Sequence, residues 1–213
     1  MQPANTTVWL RGAFVAGMGW MTLRLTGGGH GCFLDLVNLA FHEAGHLFLA
    51  PFGETLHVLG GTLGQLGVPV GLAVYFLRVP RDRFAAAACV WWAGENLVHV
   101  AVYMADARDL ALPLVGGGEH DWNTLFYSFG LLGQDRVATI AGVTRALGVL
   151  VMWGALSSLA ACLVSQWRLA GADTTPGEAN QERRGDVPRG GQTQGMSPQA
   201  RTPQPLPRAR RAA

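Results

Sequence analysis

The chain has 213 residues, of which 49% are hydrophobic and only 14% charged, with a net charge of +2. Soluble domains carry about 25% charged residues, and no Lys or Arg occurs between residues 25 and 77. Such a composition is unusual for a soluble domain, and it predicts an all-α integral membrane bundle; the net charge says little about partners. Three cysteines, Cys32, Cys89 and Cys162, in apolar surroundings do not suggest a disulfide framework.

Residues 8–25 are moderately apolar but contain Arg11 and Arg24. They read as an extra span, an interfacial helix or an uncleaved signal-like segment within an N-terminal region, 1–30. Gly27-Gly28-Gly29 breaks the pattern. Residues 31–52 are about long enough to cross a ~30 Å hydrocarbon core. Within them stands His42-Glu43-Ala44-Gly45-His46, an H-E-x-x-H motif. Residues four apart on a helix share a face, so His42 and His46 can both reach one metal ion. Glu43 between them is placed to act as general base on water activated by that metal. Asp35 and Asn38 extend the polar stripe toward the start of the helix. They are candidates to hold the imidazoles, with Asp35 equally suited to mark the helix entrance.

A short loop with Gly53, Glu54 and His57 leads to a second span, 60–77. Its pairs Gly60/Gly64 and Gly67/Gly71 suit close docking against the motif helix. Arg78, Arg81 and Arg83 punctuate the next turn, and 84–104 form a third span with Trp91 and Trp92. Glu95, His99, Tyr103 and Asp106 follow one face of it. A polar stretch, 105–136, carries Gly116-Gly117-Gly118 and His120-Asp121-Trp122, and 137–165 form a last span. The membrane domain thus covers 31–168, with four spans, or five if 8–25 crosses. Residues 169–213 read as a disordered Pro/Arg/Gln-rich tail. The positive-inside rule puts the Arg78–Arg83 turn and the tail in the cytoplasm.

A catalytic zinc site takes three protein ligands and keeps one open position. His42 and His46 supply two. His120 and Asp106 are the favoured choices for the third, with Glu95, His99 and Asp121 also available.

The segment around His42–His46, with Pro51-Phe52-Gly53-Glu54, Gly60-Gly61-Thr62 and Pro69, resembles small bacterial membrane proteins related to the M50 (site-2 protease-like) zinc metallopeptidases. Trp91-Trp92-x-Gly94, Tyr103-x-x-Asp106-Ala107-Arg108 and His120-Asp121-Trp122 share in that resemblance, which covers about residues 30–135. It implies an intramembrane Zn²⁺ site with His42 and His46 as ligands and Glu43 as catalytic base. Site-2 proteases take a third ligand from an Asn-Pro or Asp-Gly type motif in a later helix; this chain has no Asn-Pro and no Leu-Asp-Gly. The implied partners are the bilayer and a membrane-protein or peptide substrate, with no nucleic acid. All 16 basic residues are Arg, which with abundant Ala and Gly suggests a GC-rich bacterial genome; the expected location is then the bacterial cytoplasmic membrane. The alternative is a non-enzymatic membrane protein with a structural or sensing metal site.

Overall fold

A computed structural model of the chain describes residues 3–29, 31–114 and 119–172. The glycine run at 116–118 and most of the expected tail (173–213) lie outside the described residues. Among the described residues every regular element is helical: α1 (Pro3–Thr26), α2 (Leu34–Leu49), α3 (Glu54–Arg78), α4 (Arg83–Ala105), α5 (Asp121–Ser128) and α6 (Gln134–Ala172), with a 3₁₀ turn at Ala50–Phe52 after α2. The last helix therefore runs past residue 168, where the tail was expected to begin.

Among the described residues, two helices are both long and apolar enough to cross a membrane, α3 and residues Gln134–Leu169 of α6. The expectation of four spans is met to that extent. The other helices fall short for separate reasons. The 16 residues of α2 rise only about 24 Å at ~1.5 Å each. Arg11 and Arg24 dilute α1, and Glu95, Asn96 and His99 dilute α4.

Packing explains why α4 tolerates those polar residues. It lies between α3 and α6 and contributes more buried side chains than any other described element. Ala87, Trp91 and Val98 of α4 pack with Met18 and Leu25 of α1 and with Met152, Ala155 and Leu159 of α6. Val100 and Met104 join Phe126 of α5 and Val137 and Ala141 of α6 in a second cluster. Where α4 crosses α6, Gly94 and Gly148 meet backbone to backbone. A Cβ on Gly148 would stand 2.7 Å from the Gly94 carbonyl oxygen, so only glycine permits this approach.

The α2–α3 contact is made the same way. Gly45, inside the H-E-x-x-H motif, lies against Gly60 and Gly64, and any side chain on these residues would strike the facing backbone. The first small-residue pair thus docks on the motif helix. At the second pair, Gly67 and Gly71, an added Cβ would meet no other part of the described residues within 4 Å.

Candidate metal centre

Close docking of α2 on α3 sets both imidazoles against one face of α3. His57, Gly61 and Gln65 are spaced by four and line that face. A side chain on Gly61 would run into His42 Cε1 and Nε2 and His46 Nε2. Glycine there leaves the ring edges free.

On either side of Gly61, α3 holds the rings by their Nδ1 atoms. His42 Nδ1 lies 3.2 Å from Gln65 Oε1, and His46 Nδ1 lies 2.7 Å from the His57 carbonyl oxygen. A ring whose Nδ1–H is held by such an oxygen presents a lone pair at Nε2, the arrangement of a metal ligand whose other ring nitrogen is anchored.

Both Nε2 atoms converge on one oxygen. Asp121 Oδ2 lies 2.8 Å from His42 Nε2 and 3.2 Å from His46 Nε2. A carboxylate oxygen so close to two ring nitrogens requires a positive species among them, a ring proton or a cation. Ligands of a tetrahedral zinc at 2.0–2.1 Å stand about 3.3 Å apart; the His46 separation matches that, and the His42 separation is a hydrogen-bond length. His42, His46 and Asp121 are therefore one of two described groups able to hold a metal ion.

Asp121 reaches this position from α5, a chain separation of 79 residues from His42. It is the first residue of that helix, and its backbone N–H donates to the Tyr103 hydroxyl oxygen at 3.2 Å. Tyr103 stands edge-on to His42, with ring centroids 6.2 Å apart.

The structure brings neither His120 nor Asp106 to the histidine pair. His120 is the N-cap of α5, its Nδ1 accepting from Asn123 N–H at 3.2 Å. Its ring stacks on Tyr103 at 4.1 Å, and its Nε2 faces Asp106 Oδ2 at 3.5 Å. Burial holds the His120 imidazole below its ordinary pKa, while the charge of Asp106 pulls the other way. Asp106 also accepts from the backbone N–H groups of Ala111 and Leu112, tying down the chain after α4. Both side chains are committed to shaping the segment that presents Asp121.

Asp35 and Asn38 do not hold the imidazoles either. Asp35 Oδ2 accepts from Cys32 N–H at 2.7 Å, a helix-entrance role, and Asn38 Nδ2 donates to Glu95 Oε2 at 2.9 Å. The α3 groups that do hold the rings, Gln65 and the His57 carbonyl, went unnoticed in the sequence. Their signal was the spacing 57–61–65 around a glycine. Glu43 is exposed, within electrostatic reach of Tyr103. Comparison with protein-family models, curated proteins and solved structures returns no match.

Proposed function

We propose that the chain is an intramembrane zinc metallopeptidase of the M50-like kind suggested by its motifs. The observation that carries this reading is the convergence of both H-E-x-x-H Nε2 atoms on Asp121 Oδ2, with both Nδ1 atoms set against carbonyl oxygens. Two imidazoles and a carboxylate suit zinc and leave a fourth position open. Asp121, rather than His120 or Asp106, is the third ligand.

Zinc held there would polarise a scissile carbonyl and lower the pKa of attacking water. Glu43, beside His42, would be the general base for that water and would return the proton to the leaving amine. Gln65 and the His57 carbonyl fix the ring orientations, and Gly61 leaves room at the ring edges.

A membrane setting is supported by the apolar lengths of α3 and α6 and by the exposure of Trp9, Phe14, Leu36, Phe48, Leu147 and Leu150 on the outside of the helices. In that setting α4 is sheathed by α3 and α6, and α1 and α2 complete a bundle of four or five spans. The positive-inside rule then puts Arg78, Arg81 and Arg83 in the cytoplasm of a bacterial cell and the metal centre near the opposite face.

Two measurements on detergent-purified protein test this. Elemental mass spectrometry should show zinc falling by one equivalent in the His42→Ala, His46→Ala variant. Casein cleavage should fall by about 10²-fold or more in Glu43→Gln with zinc retained. Full cleavage activity in Glu43→Gln would sink the peptidase reading.

A second reading rests on His57. Its exposed ring lies 5.4 Å from that of His46, near enough to close the fourth position by a change of rotamer. A closed centre would be structural or sensing. It predicts that His57→Ala loses metal, whereas the peptidase reading predicts unchanged zinc.

A further inference from the structure

A second set of metal-ligating atoms stands at the other end of α2. Cys32 precedes the helix, Asp35 lies in its first turn, and Glu95 comes from the middle of α4. Cys32 Sγ is 3.6 Å from Asp35 Oδ1 and 3.6 Å from Glu95 Oε1. The remaining carboxylate oxygens are turned outward and occupied. Asp35 Oδ2 accepts from Cys32 N–H, and Glu95 Oε2 from Asn38 Nδ2. Asn38 is itself held by Trp92 Nε1–H at 2.8 Å and Asn96 Nδ2–H at 3.2 Å.

This frame points one sulfur and two oxygens at one another. One thiol proton, a weak donor, faces both carboxylate oxygens, and Glu95 is only 2% exposed. A buried carboxylate beside a half-buried one repels it unless a proton or cation lies between them.

We propose that Cys32, Asp35 and Glu95 form a second site for a divalent ion of the zinc class. A thiolate ligand selects such ions over magnesium or calcium. Loading it releases the Cys32 thiol proton to solvent. The site does not depend on hydrolysis at the His42 centre.

Cobalt(II) titration of the metal-stripped full chain in detergent separates the two sites, because only a cysteine-ligated ion gives a near-ultraviolet thiolate-to-cobalt charge-transfer band. The expected result is two equivalents bound, with that band present. Cys32→Ser should lose the band and one equivalent, and Glu95→Gln should raise the cobalt concentration for half-saturation of the band by about tenfold or more. Cys89→Ser and Cys162→Ser should keep the band. A single equivalent with no band in the unaltered protein, or a band that survives Cys32→Ser, overturns the proposal. The His42→Ala, His46→Ala variant reports on the other centre: keeping the band with one equivalent fits both sites, while keeping two equivalents sinks the His42 centre and leaves the Cys32 site standing.

Discussion

The two ends of α2 carry one polar stripe and meet different neighbours. At the C-terminal end, His42 and His46 face α3 and α5, where their hydrogen-bond contacts among the described residues are to carbonyl and carboxylate oxygens. At the N-terminal end, Asp35 and Asn38 face α4, where the partners are Glu95, Trp92 and Asn96. The difference teaches that a shared helix face does not make a shared site. Asp35 and His42 are seven residues apart, hence almost aligned around the axis, yet about 10 Å apart along it at ~1.5 Å per residue. That rise carries the stripe from one neighbouring helix to the next.

The largest expected effect breaks the C-terminal end alone. Asp121→Ala should reduce metal at this centre to about a tenth or less of an equivalent, because two imidazoles alone are an incomplete zinc site. Asp106→Asn and His120→Asn should retain it; asparagine is chosen at 120 because it still serves as an N-cap. Elemental analysis of the three variants decides the third ligand. Metal lost in Asp106→Asn but kept in Asp121→Ala would reverse the assignment.

A smaller effect is expected from the α3 side. Gln65→Ala removes the partner of His42 Nδ1 without touching a ligand, so metal affinity should fall about 10–100-fold, read by competition with a chromophoric chelator. Unchanged affinity would mean that the Gln65 contact does not set the ring orientation.

These contacts mark how far the sequence could be read. The H-E-x-x-H pair was legible because its geometry is local: four residues make one turn, whatever surrounds the helix. Gly60 and Gly64 were legible as a docking face for a similar reason, since absent side chains constrain the neighbour's approach. The third donor was not, because it depends on how residues 105–136 fold back. His120 and Asp121 are adjacent in sequence, and which one turns to the centre was decided by capping: His120 Nδ1 is taken by Asn123 N–H and its ring by Tyr103. The spans were legible in part. Apolar length marks α3 and α6, whereas α4 hides Glu95, Asn96 and His99 inside the fold, and a hydropathy reading cannot separate polar residues buried among helices from polar residues facing water.

The smallest effect sharpens the contrast from the other end. Asn38 is fully buried and ties three side chains together: it donates to Glu95 and accepts from Trp92 and Asn96. Asn38→Ala leaves the Trp92 N–H and a Glu95 oxygen buried without their partner, at about 1–3 kcal/mol for such a loss. The expected outcome is a lower apparent Tm in detergent, with zinc at His42 and His46 unchanged, since Asn38 touches neither ring. Two results are informative together. A lowered Tm with intact zinc means that α2 is stabilised at its N-terminal end independently of the centre at its C-terminal end. A lowered Tm with zinc also lost means that the α4 contacts set the height of α2 against α3, and through it the position of both imidazoles; the two ends would then be one mechanical unit despite their separate chemistry.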